Sequence, residues 1–319
     1  MKKIYYLLIC ITICSCSYHH SLDEVALQYI ERDKTFWSWE KERIHYIERG
    51  SGQQHVVLLH GFGANTFTWK NQIDLLSQEG FHVWAIDFLG FGLSDKPLEA
   101  KYSIELYRKQ VEDFLKAKNI QNPHVVGNSM GGAIALALAA HNPEKIASMT
   151  LIDPLAYPVK MPFFYSLGKA FGKLAIPFFS RSLVHQAIKK IYYDPKKITE
   201  DQIDAYWVPY QMEGGRDVVI NILRSFDQAL LDQLCQSYAQ IKTPIFLVWG
   251  EQDKWIPLSH LDHLLEDFPH AEQMTIPFCG HSPQEETPDE VNPKLIQFLH
   301  KHSDKKNSYE RSIPNLLTQ

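Results

Sequence analysis

Short apolar runs alternate along the chain with longer segments in which apolar residues recur every three or four positions. The runs Val56–Leu59 and Ile245–Trp249 contain no polar residue, which is typical of strands buried on both faces. This alternation of buried strands with amphipathic helices predicts an α/β fold with a parallel sheet covered on both sides. Further strands are predicted at Arg43–Glu48, Val83–Ile86, Val125–Val126, Ala147–Ile152 and Gln273–Ile276, and helices at Ile104–Lys118, Ala133–His141 and Pro288–His300.

The alternation stops at Pro154 and resumes at Ile245. Residues between them contain no clear strand and many aromatic side chains, including Phe163-Phe164-Tyr165 and Phe178-Phe179. An insertion here covers the carboxyl ends of the strands, where open α/β sheets bind ligands. The sequence therefore predicts a helical cap, whose aromatic side chains either line an apolar cavity or form the core of the cap itself.

The N-terminus has the pattern of an export signal. Two lysines precede an apolar run from Ile4 to Cys14, which is too short to span a bilayer comfortably. Ile13-Cys14-Ser15-Cys16 resembles a bacterial lipobox, which would make Cys16 the lipidated first residue and hold the protein at a membrane surface. Ordinary signal cleavage and an uncleaved anchor stay open. The predicted segments are a signal peptide (1–16), a spacer (17–36), the core (37–153 and 233–302), the cap (154–232) and a polar tail (303–319).

The charge and the cysteine content of the chain limit the kinds of molecule that it is expected to bind. The net charge of −5 is spread along 319 residues without a basic stripe, which argues against nucleic acid and for a small, uncharged or apolar substrate. Five cysteines occur, three of them in the leader, so neither a disulfide framework nor a metal site is indicated. Whether Cys235 and Cys279 pair stays open.

A sharp turn with a serine at its centre follows one of the predicted strands. The turn reads Gly127-Asn128-Ser129-Met130-Gly131 and leads directly into an alanine-rich helix. A Gly-x-Ser-x-Gly turn in this context holds the serine in a strained conformation with its hydroxyl above the sheet. The alternative is an ordinary glycine-rich turn, so the rest of the chain has to decide.

A serine hydroxyl needs a base, and the base needs an acid to orient it. Asp253 and His281 follow later predicted strands, in the order serine, acid, histidine that this architecture uses. We therefore predict that Ser129, Asp253 and His281 form a catalytic triad. Asp153 also ends a strand and is the reserve acid. The competing interpretation is a turn-forming aspartate and a surface histidine.

The reaction also needs donors for a developing oxyanion. The backbone N–H of Met130, at the start of the helix, is the first candidate. The second is the N–H of Phe62 in the loop His60-Gly61-Phe62-Gly63, where glycine lets the backbone approach a substrate. His60 is interpreted as bracing this loop. We predict that Gly61 and Asn128 contact the substrate.

A second glycine loop, Asp87–Ser94, lacks the spacing of a dinucleotide-binding loop and does not lead directly into a helix. It is interpreted as a structural loop at the edge of the pocket. No cofactor or metal is expected.

With these motifs the chain resembles the α/β-hydrolase superfamily from about Ile44 to His300. The resemblance implies the fold and the triad but says little about the substrate. The elbow and Cys279-Gly280-His281 are similar to carbon–carbon bond hydrolases of ring-opened aromatic products. Those enzymes typically have a cap arginine that binds a substrate carboxylate, and in the matching stretch Ile198–Trp207 this chain has Tyr206. The resemblance therefore implies that Tyr206 contacts the substrate. Those enzymes also often have a tryptophan after the histidine, where this chain has Ser282.

The leading hypothesis is an exported, membrane-attached carboxylic ester hydrolase that works through an acyl-enzyme. The first alternative is carbon–carbon hydrolysis of a dienone acid. The resemblance also extends to haloalkane dehalogenases and epoxide hydrolases, but their nucleophile is an aspartate, and Ser129 argues against both. An alternative of another class is a binding protein that kept the fold and lost catalysis.

Overall fold

The computed structural model describes residues 35–159, 172, 176, 179–225 and 229–303. The predicted signal peptide, the lipidation of Cys16, almost all of the spacer and the tail from residue 304 lie outside these residues and stay predictions. Within the described residues, no helix combines the length and the apolar character needed to cross a membrane.

The core is one eight-stranded sheet. Its spatial order is β1-β2-β4-β3-β5-β6-β7-β8, in which β2 is antiparallel to both neighbours and all later pairs are parallel. The α/β fold with a mostly parallel sheet is therefore confirmed. The strands are β1 (Phe36–Trp39), β2 (Glu42–Arg49), β3 (Gln54–Leu59), β4 (Phe81–Ile86), β5 (His124–Asn128), β6 (Ser148–Ile152), β7 (Ile245–Gly250) and β8 (Glu272–Ile276).

Helices cover both faces of the sheet. Helix α3 is buried along nearly its whole length, because its residues are small or apolar all round and it packs on the centre of the sheet. The helices are α1 (Ile73–Gln78), α2 (Ile104–Ala117), α3 (Met130–His141), α4 (Arg181–Ile191), α5 (Glu200–Trp207), α6 (Gly215–Ser225), α7 (Ala229–Cys235), α8 (Ser259–Asp267), α9 (Pro283–Glu286) and α10 (Pro288–Ser303).

Strand β1 was not predicted from the sequence, and Phe36 belongs to it rather than to the spacer. Its pattern of two tryptophans and a phenylalanine is too short to show a period. The strand is held by pairing with β2 and by Trp37, which packs edge-on against Phe114 of α2 with 5.4 Å between the ring centroids.

Helices α4 to α7 lie between β6 and β7, and no strand occurs among the described residues of 154–232. Part of this segment has a small core of its own, in which Phe179 stacks on Trp207 and meets Tyr210 edge-on. This favours the interpretation that cap aromatics form a core, as far as the described residues go. Phe163-Phe164-Tyr165 lie outside them.

Candidate active site

Ser129 lies in the sharp turn between β5 and α3. Its backbone has φ 54° and ψ −116°, a strained combination for any residue with a side chain. The turn is held by the Ser129 N–H, which donates to the carbonyl of Ile152 at 3.0 Å. It is also compact, since a Cβ on Gly131 would lie 2.0 Å from the carbonyl oxygen of Leu59. The predicted elbow therefore has the backbone geometry that exposes a serine side chain above the sheet.

Asp253 and His281 are directly hydrogen-bonded. His281 Nδ1 lies 2.6 Å from Asp253 Oδ2, and the side chains are 10% and 0% exposed. The other carboxylate oxygen of Asp253 accepts the backbone N–H groups of Trp255 (2.7 Å) and Ile256 (3.1 Å). This arrangement orients the imidazole so that its second nitrogen, Nε2, is available as a base.

Asn128 fastens the serine turn to the histidine loop. Its side-chain amide donates to the backbone carbonyl of His281 and to that of Ile152, both at 3.1 Å. The residue is 3% exposed. The fold thus brings the segments of Ser129 and His281 together. Because the amide is already bonded to two carbonyls, we leave Asn128 out of the proposed substrate site.

The predicted oxyanion loop lies against the elbow. A Cβ on Gly61 would be 3.2 Å from the Cβ of Ser129, which is tighter than most Cβ contacts, so this close approach favours glycine. Met130 is the first residue of α3, where backbone N–H groups have no partner within the helix. The Phe62 side chain is 41% exposed and packs edge-on against Phe91. Met130 thus directly follows Ser129, and Gly61, the neighbour of Phe62, lies against the serine turn; the two N–H groups stay the predicted oxyanion donors.

His60 braces the loop, as its sequence position suggests. Its Nδ1 lies 2.8 Å from the carbonyl of Gly61, and its Nε2 accepts the N–H of Phe88 at 3.0 Å. One nitrogen therefore donates and the other accepts, which requires a neutral imidazole. Burial lowers the pKa of His60 in agreement with this state.

The Asp87–Ser94 loop is held by its own aspartate. The Asp87 carboxylate accepts the N–H groups of Thr66 (2.7 Å) and Leu93 (2.9 Å) and lies 2.7 Å from His45 Nδ1. These bonds fix the conformation of the loop, which supports its interpretation as a structural loop.

Asp153 lies behind the hydrogen-bonded pair. Three atoms that could bind a metal ion lie within 4.8 Å of one another, one each from Asp153, Asp253 and His281. Such spacing also suits a metal ion, but the 2.6 Å contact between His281 and Asp253 leaves no room for an ion between those two atoms. Since His281 bonds to Asp253, the structure favours Asp253 over Asp153 as the orienting acid.

Two glutamates of α9 tie the histidine loop to the cap. The Glu286 carboxylate accepts three backbone N–H groups, from Gly280 (2.8 Å), Tyr193 (3.1 Å) and Asp194 (2.8 Å). In addition, the N–H of His281 donates to the carbonyl of Ile191, the last residue of α4, at 2.7 Å. The backbone around the predicted base is thus shared between core and cap.

Glu285 makes the second tie and involves Tyr206. The hydroxyl groups of Tyr206 (2.7 Å) and Thr68 (2.6 Å) and the amide of Gln202 (2.6 Å) donate to its carboxylate. Tyr206 is 7% exposed. Tyr206 was a substrate candidate because it stands in place of a cap arginine, but its hydroxyl is bonded to Glu285, so we leave this residue out of the proposed substrate site. Neither glutamate could be singled out from the sequence, because all of their partners except Gly280 lie about 80 residues or more away along the chain.

Glu286→Gln is expected to destabilise the folded protein by about 1–3 kcal/mol, because an amide NH₂ would face backbone N–H groups that lose their acceptor. Urea unfolding of both forms measures the change. Glu285→Gln is the matched control, since its donors include two hydroxyl groups that rotate. An equal loss in both variants would contradict the role given to Glu286.

Both cysteines of the described residues are free thiols. Cys279 is buried beside Thr287, and burial raises the pKa of its thiol. Cys235 lies against the carbonyl of Ala156. Cys235 and Cys279 therefore do not form a disulfide in this structure.

A cavity of about 360 Å³ is lined among others by His45, Lys70, Asp87 and Asp201. None of the predicted triad residues lines it. It contains no serine or cysteine nucleophile, and we do not assign the substrate to it.

Known proteins share this architecture. The sequence profile of the alpha/beta hydrolase fold matches residues 54–288. A 2-hydroxy-6-oxo-6-phenylhexa-2,4-dienoate hydrolase of Comamonas testosteroni is 31% identical over 265 residues, which are 80% of this chain and 91% of that protein. Lipase 1 of Psychrobacter immobilis is 28% identical over 266 residues, 81% of this chain and 80% of the lipase.

A solved alpha/beta hydrolase fold protein from Burkholderia ambifaria superposes with a TM-score of 0.76 at 24% identity, covering 82% of this chain and 97% of that one. At this identity the likeness concerns the fold. The profile match, however, spans most of the chain, and the dienoate hydrolase aligns over nearly its whole length. The chain therefore belongs to the alpha/beta hydrolase fold family.

Proposed function

We propose that the protein is a serine hydrolase that cleaves the carbon–carbon bond beside a ketone in a 2-hydroxy-6-oxo-dienoate. The observation that carries the choice of substrate is the 31% identity with a hydrolase of this class. Two further relatives, at 27% and 28% identity, have names of the same class. This replaces ester hydrolysis, which the sequence alone put first, as the leading hypothesis.

In the proposed chemistry, Ser129 Oγ attacks the ketone carbon while His281 Nε2 takes its proton. Asp253 holds the imidazole and stabilises its charged form. The N–H groups of Phe62 and Met130 bind the oxyanion. The carbon–carbon bond then breaks, and the imidazolium returns the proton to the leaving carbon. Water, activated by His281, releases the acid from the acyl-enzyme, so one water is consumed for each bond cleaved.

Ester hydrolysis is the second candidate. It is supported by the similarity to Lipase 1 and by the cap, where Tyr206 stands in place of the arginine expected for a carboxylate substrate. The same residues would act, and the leaving group would be an alkoxide instead of a carbanion. Export and attachment through Cys16 remain part of this proposal and belong to both candidates.

Turnover of two substrate classes by the purified protein separates the candidates. We expect kcat/KM for 2-hydroxy-6-oxo-6-phenylhexa-2,4-dienoate to exceed that for every p-nitrophenyl ester of a graded acyl series by at least about tenfold, or about 1.4 kcal/mol of transition-state stabilisation. Absorbance at the dienoate and nitrophenolate bands follows each reaction.

The reverse ranking would establish the ester hydrolase instead. Turnover of neither class, together with a serine that does not react with a fluorophosphonate, would contradict both and favour the binding protein. The fluorophosphonate is informative because it labels only a serine activated by a neighbouring base.

A further inference from the structure

Asp153 is a buried carboxyl group that the proposed mechanism does not use. It follows β6 with φ 42° and is fully buried. Its Oδ1 accepts the backbone N–H of Gly250 at 3.1 Å. Its Oδ2 is buried too and meets no hydrogen-bond donor among the described residues. Burying an ionised carboxylate is energetically unfavourable when one of its oxygens accepts no hydrogen bond. This oxygen therefore needs either a hydrogen-bond donor or a proton of its own.

The neighbour of Asp153 is the carboxyl group of Asp253, which has room for one more hydrogen-bond donor. Asp253 receives two backbone N–H groups on Oδ1 and His281 on Oδ2, and a carboxylate offers about four acceptor sites. Oxygens of the two aspartates lie within 4.8 Å of each other. Two adjacent buried carboxyl groups do not both ionise. Asp253 is the one that faces the imidazole and the backbone donors, so the negative charge belongs there.

We propose that Asp153 is a positioning residue that stays protonated and donates the hydrogen bond of its carboxyl group to Asp253. The inference rests on the proposed function only in what it means for catalysis. Burial and the charge of Asp253 hold the pKa of Asp153 well above its usual range. The other titratable groups that face Asp153 are His281, Glu286 of α9 and the thiol of Cys279.

This hydrogen bond sets how strongly Asp253 acts on the histidine. A neutral donor stabilises the charge of Asp253 and weakens its attraction for a protonated imidazole. His281 then gives up its proton more easily and remains a neutral base to lower pH. The bond also helps to fix the Asp253 side chain in the position in which it meets His281.

Thermal unfolding at two pH values tests the protonation without any substrate. Above about pH 3.9 an unfolded aspartate loses its proton while the folded Asp153 keeps it, so this residue lowers stability as the pH rises. Asp153→Asn does not titrate, and its amide can donate to Asp253 and accept from Gly250. The Tm of Asp153→Asn minus that of the unchanged protein is expected to be at least about 3 °C more positive near pH 7 than near pH 4. A constant or falling difference would overturn the proposal.

The pH profile of kcat/KM tests the positioning. Asp153→Leu removes the donor, so the acid limb is expected to move up by about 0.5–1 unit, whereas Asp153→Asn retains a donor and keeps the limb within about 0.2 unit. A downward shift in Asp153→Asn would mean that Asp153 is ionised and acts as a second acid, which overturns the proposal. The unfolding experiment needs no turnover, so absence of activity would count against the proposed function alone.

Discussion

Ser129→Ala is expected to lower kcat/KM for the preferred substrate by at least about 1000-fold, because the variant has no atom that can attack the carbonyl carbon. The remaining rate would come from the oxyanion donors and from substrate binding. Single-turnover assays at high enzyme concentration measure this residual rate.

The fold is expected to survive this change. Only the hydroxyl is lost, and the Ser129 N–H that bonds to Ile152 stays in place. A Tm close to that of the unchanged protein and complete loss of fluorophosphonate labelling serve as controls. Turnover within tenfold of the unchanged protein, free of contaminating esterase, would remove Ser129 from the mechanism.

Asp253→Asn is expected to reduce kcat by about four orders of magnitude, the size of effect seen when the orienting acid of a serine triad becomes an amide. The loss of activity is expected because His281 would adopt the wrong tautomer. An amide NH₂ at this place donates to His281 Nδ1, which puts the ring proton on Nε2 and leaves no base facing the serine. Initial rates at saturating substrate give the effect on kcat.

Asp153→Asn is the matched comparison, because it makes the same chemical change at an aspartate next to the hydrogen-bonded pair of Asp253 and His281. It is expected to lose far less activity than Asp253→Asn. Equal losses, or a larger one at Asp153, would reverse the two assignments and make the reserve acid the working one. Circular dichroism of both variants separates a catalytic loss from unfolding.

The fold and the meeting of Asp253 with His281 could be predicted because strands, turns and the ends of strands leave local signals in the sequence; the catalytic role of the three triad residues stays a prediction. The buried strands are continuous apolar runs, as in Val56–Leu59, and the serine turn needs small residues within five positions. The acid and the histidine follow strands, and parallel strands end at the same edge of a sheet. Chain order and placement therefore indicated that Asp253 and His281 meet, which their 2.6 Å contact bears out.

The sequence could not predict contacts between polar side chains and residues that lie far from them along the chain. Asn128 was assigned to the substrate because it stands beside the nucleophile, but its amide bonds to carbonyls 24 and 153 positions away. The hydroxyl of Tyr206 is bonded to Glu285, 79 positions away. Polar side chains of this kind have no periodic pattern, and only the folded structure reveals which of them are already satisfied.

The state of Asp153 is another property that depends on the folded environment. In the sequence it is one more aspartate after a strand, and in the structure both side chains are buried. Asp253 bonds to His281 and to two backbone N–H groups, whereas Asp153 accepts only the N–H of Gly250. Assigning roles to two acids therefore needs their surroundings as well as their positions.

The attachment of α9 to the cap has a consequence for exchanging parts between relatives. A chimera that receives residues 154–232 from another hydrolase would lose the carbonyl, amide and hydroxyl partners that now meet Glu285, Glu286 and the backbone of His281. Its imidazole would then be misaligned even though every triad residue is present. Transplants meant to change substrate preference should therefore carry residues 279–287 together with the donor cap.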